Sequence, residues 1–153
     1  MRVLCVFLLT LGLFATARAA DAVTGRVIKV LPMLLDQKGR VALSPSLFDR
    51  DAYQARLHEN TNLVSGVRYD VLWSASHAGD APLTVRVELR GVGTNNLPRL
   101  KTLETRVKPG LFRKWTDLKL EGEEYRQFGA VTAWRATLWA DDQLLSEQKS
   151  FLW

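Results

Sequence analysis

The sequence predicts an all-β domain, an antiparallel sandwich of about seven strands with one short helix between the first two. Three observations carry this. Apolar and polar residues alternate with period two in window after window. Turn-forming residues separate those windows at short intervals. Between most neighbouring windows there is no helical stretch, so consecutive antiparallel strands fit and βαβ units do not.

In chain order, the first strand is expected near Val23–Leu31. Ser44-Pro-Ser-Leu-Phe-Asp-Arg-Asp-Ala-Tyr-Gln-Ala-Arg-Leu-His58 then reads as a turn and a short helix. Asp49 or Asp51 is placed to accept from the free first-turn amides, and Gln54 follows Asp51 at capping-box spacing. Phe48, Ala52, Tyr53 and Leu57 fall on one apolar stripe. This helix is expected to bridge the first two strands and cover an open end of the sandwich. Val67, Tyr69, Val71 and Trp73 make the inward stripe of the second strand. Leu83, Val85, Val87 and Leu89 make that of the third, opposite Thr84, Arg86, Glu88 and Arg90. Further strands are expected over Leu100–Val107, Phe112–Leu120, Val131–Ala140 and Leu144–Leu152, with a short turn at Gly122–Gly129 before the sixth. The apolar ending Phe151-Leu152-Trp153 is expected to dock within the last strand.

The composition suits one folded domain: 153 residues, 47% apolar and 24% charged. Residues 1–19 have the form of a secretory signal peptide, with Arg2, an apolar run from Val3 to Phe14, and Ala17-Arg-Ala19 as the small-residue exit. Cutting after Ala19 leaves residues 20–153 as a single domain. Cys5 lies inside the apolar run, so the mature chain has no cysteine and no disulfide. That run is too short to span a bilayer, and the mature chain contains no transmembrane segment. The protein is expected to be exported, to the periplasm or beyond. Nucleic acid is then excluded as a partner, although basic and aromatic residues mix over 99–115.

Removing the leader lowers the net charge from +5 to +3, and the remaining charge is uneven. Arg86, Arg90, Arg99, Lys101, Arg106, Lys108, Arg113 and Lys114 face only Glu88 and Glu104 over residues 86–114. Such a stretch attracts anionic surfaces, although solvent faces of strands also carry charge.

The strand pattern resembles an immunoglobulin or fibronectin type III sandwich, on Trp73 in the second strand and on Tyr125 ahead of Val131-Thr-Ala-Trp-Arg-Ala-Thr-Leu-Trp139. Tyr125 lies several residues earlier than a tyrosine corner does, and the cysteine pair of antibody domains is absent. The whole mature chain also resembles a family of small exported bacterial proteins with no assigned activity. That likeness rests on Val30-Leu-Pro-Met-Leu-Leu-Asp36, Ala42–Ala55, Val131-Thr-Ala-Trp-Arg135 and Glu147-Gln-Lys-Ser-Phe-Leu-Trp153. It implies a fold and no catalytic residues.

Catalytic sets are missing from the sequence. Ser65 precedes Gly66 without the glycine of a nucleophile elbow, and His58 and His77 are the only histidines. Glu121, Glu123 and Glu124, near Asp117, point apart on one turn rather than opposing each other across a substrate. Asp141-Asp142 reads as a hairpin tip rather than a calcium site. No cofactor is expected.

The aromatics are more informative. Alternation puts Trp134, Ala136 and Leu138 on one face of the sixth strand and Arg135, Thr137 and Trp139 on the other. In the fifth, Thr116, Leu118 and Leu120 claim the inward face and leave Trp115 outward. Trp115, Arg135 and Trp139 are therefore the candidate binding residues. With Arg113 they would form a cation–π stack if these two strands are neighbours in space. The expected function is a non-enzymatic exported module binding a protein or envelope component, and the alternative is carbohydrate binding on the exposed tryptophans. Packing against the helix or a loop is the ordinary role for the same side chains.

Overall fold

The alternating stripes pair as two antiparallel sheets in a computed structural model that describes residues 22–79, 81–93 and 95–153. β1 (Thr24–Asp36), β2 (Val64–Ser76) and β5 (Lys114–Glu121) form one sheet in the order β1-β2-β5. β3 (Leu83–Val92), β4 (Pro98–Val107), β6 (Ala130–Ala140) and β7 (Gln143–Lys149) form the other, in the order β4-β3-β6-β7. Helix α1 (Leu47–Glu59) joins β1 to β2, and α2 (Gly122–Phe128) joins β5 to β6. This is an immunoglobulin-like sandwich. Relative to the constant-type arrangement, the fourth strand pairs with the third instead of extending the sheet of the fifth.

Both inner faces supply the core. Val67, Tyr69, Val71 and Trp73 of β2 meet Leu83, Val85, Val87 and Leu89 of β3, with Leu118, Leu120, Ala136 and Leu138 filling the space between. Tyr69 and Trp134 pack with ring centroids 6.2 Å apart. The helix α2 closes one end by laying Phe128 against Gly91, where a β-carbon would lie 2.4 Å from the ring. No helix among the described residues is long and apolar enough to cross a membrane. The expected leader, residues 1–19, lies outside the described residues.

Beside smaller shifts, such as β5 starting at Lys114 rather than Phe112 and the expected turn at Gly122–Gly129 forming helix α2, three differences from the sequence expectation stand out. β1 continues through Pro32 to Asp36 instead of ending at Leu31. Pro32 is tolerated because β1 is an edge strand, and Leu34, two residues on, turns its backbone to the unpaired side. On that side the partners are side chains. Ser146 Oγ accepts from the Val27 amide at 3.1 Å, and Gln148 Nε2 donates to the Ile28 carbonyl at 3.0 Å. Gln54 of α1 accepts from the Leu34 amide at 2.7 Å and donates to its carbonyl at 3.0 Å.

The last strand is shorter than expected. It stops at Lys149, and residues 150–153 turn back: the Ser150 amide donates to the Trp134 carbonyl, and the Trp153 amide to the Ser150 carbonyl. Helix α1 is the third difference. Its N-cap is Ser46, whose hydroxyl accepts from the Asp49 amide at 3.4 Å, rather than Asp49 or Asp51. The apolar stripe does not form, since only Leu57 is buried and Phe48 is 81% exposed. Polar side chains fasten this helix instead, through Gln54 and Tyr53.

Candidate functional site

Strand order decides what the candidate residues do. β5 belongs to the three-stranded sheet and β6 to the four-stranded sheet, so outward side chains on the two strands face opposite sides of the sandwich. Trp115 is therefore separated from Arg135 and Trp139, and the stack with Arg113 does not form. A flat sugar platform made of Trp115 and Trp139 together has no geometry to support it.

Arg135 and Trp139 sit in a cross-strand ladder on the outer face of the four-stranded sheet. The register places Arg86 beside Thr137 on β6 and beside Glu104 on β4. The Arg86 guanidinium lies 5.1 Å from the Trp139 ring centre and donates to Glu104 at 3.0 Å. Trp139 Nε1 donates to Thr137 Oγ1 at 2.8 Å. One step along, Arg135 is paired with Glu88 at 2.6 Å. The turn after β7 brings Trp153 over this row, 4.1 Å from the Arg90 guanidinium and 5.1 Å from that of Arg135. Arginine planes, indole rings and carboxylates thus satisfy one another here. The sequence gives the alternation but not these partners, which are non-local.

Trp115 stands elsewhere. It is 52% exposed at the start of β5, immediately after the β4–β5 loop, residues 108–113. In that loop Leu111 is 97% and Phe112 82% exposed. Lys114 Nζ donates to the Lys108 carbonyl at 2.9 Å and to the Pro109 carbonyl at 3.3 Å. This ties the base of the loop and leaves Leu111 and Phe112 projecting. The residues between Arg106 and Trp115 include Lys108, Arg113 and Lys114 and no acidic residue. A groove of about 480 Å³ flanks the loop, lined by Gly79, Pro82, Leu83, Arg106, Lys108 and Pro109. Sequence reading passed over Leu111 because it placed Phe112 at the start of a strand. The usable signal was Lys-Pro-Gly followed by two large apolar residues and two basic ones.

Asp36 and Glu123 are engaged in structure. Asp36, 5% exposed, accepts at Oδ1 from the Lys38 and Arg40 amides and at Oδ2 from Arg40 Nε and the Tyr53 hydroxyl, all within 2.9 Å. Burial raises its pKa, but these donors outweigh burial and hold it at about 2. Glu123 is lowered by its hydrogen bonds from Arg126 and then Gln127. Burial raises the phenol of Tyr69. Asp141 and Asp142 are exposed at the β6–β7 turn, where Asp141 adopts φ 47°. Among the described residues, no group of three or more His, Cys, Asp or Glu is placed to hold a metal ion.

No family model matches the chain, and no curated protein matches it. Among solved structures it is similar to an immunoglobulin-like protein from Pseudomonas aeruginosa, with 16% identity, 86% of this chain and 96% of that chain covered, and a TM-score of 0.39. The immunoglobulin-like assignment rests on the pairing of the seven strands itself.

Proposed function

We propose that the protein is a binding module that engages a macromolecular surface of the cell envelope through its β4–β5 loop, without catalysing a reaction. The observation that carries this reading is the exposure of Leu111, Phe112 and Trp115 on one tied loop and the strand that follows it. Folding gains nothing from leaving large apolar groups in water, and a cluster of them marks a contact surface. Of the three candidate residues, Trp115 belongs to this surface. Arg135 and Trp139 are engaged within the fold. The signal-peptide pattern of residues 1–19 supports action after export, in the periplasm or outside the cell. Mass spectrometry of the native protein tests export, with an N-terminus at Ala20 as the expected result and an intact Met1 as the contrary one. Photo-cross-linking in the producing cell tests the surface. Phe112→p-benzoylphenylalanine is expected to give adducts, whereas Lys38→p-benzoylphenylalanine, at the opposite end of the sandwich, is not. Absence of adducts at position 112 removes the proposal.

A further inference from the structure

Resting on that reading, we infer that the surface contacted by the β4–β5 loop is a bilayer containing anionic phospholipid, entered by Leu111 and Phe112 with Trp115 at headgroup depth. Two features favour lipid over a protein groove. First, the apolar pair is a projecting tip, exposed at 97% and 82%. A bilayer accepts such a tip because acyl chains yield around it. Second, the chemistry is layered along the loop. Leu111 and Phe112 lead, Lys108, Arg113 and Lys114 follow, and Trp115 comes at the start of the strand. Acyl chains favour the apolar pair, and the headgroup layer favours both the cations and the indole.

Electrostatics also sets the orientation. The β2–β3, β4–β5 and β6–β7 turns share one end of the sandwich, since Leu83 pairs with both Val107 and Ala140. Asp141 and Asp142 occupy the β6–β7 turn and are repelled by an anionic surface. In the order β4-β3-β6-β7, however, that turn lies on the far side of the sheet from β4. The protein therefore tips onto its β4–β5 edge, which keeps the two carboxylates away from the headgroups.

Sedimentation of the mature protein with phosphatidylcholine vesicles, with and without phosphatidylglycerol, tests the inference. Binding to the phosphatidylglycerol vesicles, weakened by added salt, is expected. Leu111→Ser with Phe112→Ser is expected to weaken it by about tenfold or more. Lys108→Gln and Arg113→Gln are each expected to cost about fivefold on the anionic vesicles, the equivalent of roughly 1 kcal/mol per charge. Unchanged unfolding midpoints show that these variants are folded. No sedimentation with phosphatidylglycerol vesicles at low salt, or equal binding by the Leu111/Phe112 double variant, overturns the lipid assignment. In that case polypeptide adducts at position 112 leave the binding-module reading standing, and absence of any adduct removes both.

Discussion

The indole nitrogen of Trp73 donates to the Thr116 hydroxyl at 2.8 Å, linking β2 to β5 across the inner face of the three-stranded sheet. Trp73 is among the largest fully buried side chains, so its one polar atom needs a partner inside the core. Trp73→Ala is expected to cost about 3–5 kcal/mol through the cavity it leaves. Thr116→Val keeps the shape and strands the indole N–H, at about 1–3 kcal/mol. Denaturant unfolding measures both, and a loss below about 1 kcal/mol for Trp73→Ala would remove Trp73 from the core.

Asp36 makes stability depend on acid. Its carboxyl titrates near 2 in the folded chain against 3.8 ordinarily. A depressed folded pKa gives stability that is fully present above the unfolded value and is lost as pH falls through the folded one. Wild-type stability is therefore expected to drop between about pH 4 and pH 2, beyond what other carboxylates contribute. Asp36→Asn is expected to flatten the curve in that window and to be less stable at neutral pH. Parallel unfolding curves for the two proteins across the window would contradict this.

Trp139 tests whether the ladder is internal. Trp139→Ala is expected to lower the unfolding midpoint, at about 1–3 kcal/mol, and to leave cross-linking at position 112 unchanged. A double-mutant cycle with Arg86→Ala is expected to give a coupling of about 0.5–2 kcal/mol. A Trp139→Ala protein of unchanged stability with altered cross-linking would return this residue to the binding surface.

Gly129 ends α2 with φ 81°, and a β-carbon there would lie 2.3 Å from the Val92 carbonyl oxygen. Gly129→Ala meets both an unfavourable backbone region and a backbone atom that cannot step aside. A loss of about 2 kcal/mol or more is expected in thermal or denaturant unfolding.

Inward stripes such as Leu83-Val85-Val87-Leu89 were legible in the sequence because one buried face imposes period two on the strand itself. Seven strands and the helix between the first two follow from such local signals. Pro32 hid the second half of β1, since edge position is a property of the sheet and not of the strand. Phe48 misled for a related reason: helical spacing shows which side chains share a face, not whether anything covers it. Separation of Trp115 from Trp139 depends on β5 and β6 joining different sheets, and no local pattern records that. Arg86 and Trp153 were missed because ladder partners arise only when distant segments meet, whereas Leu111 was missed for a local reason, a strand start placed at Phe112 instead of Lys114.

The side-chain trim along β1 bears on how the protein behaves at high concentration. A bare edge is an invitation to a further strand, whether from a second copy or from a partly unfolded one. Here Ser146, Gln148 and Gln54 occupy rungs that a newcomer would need, and Pro32 has no amide to offer it. Gln54 does the work of a strand one residue long. Growth of the three-stranded sheet is blocked at β1 without a covering strand, and its other edge, β5, carries Lys119.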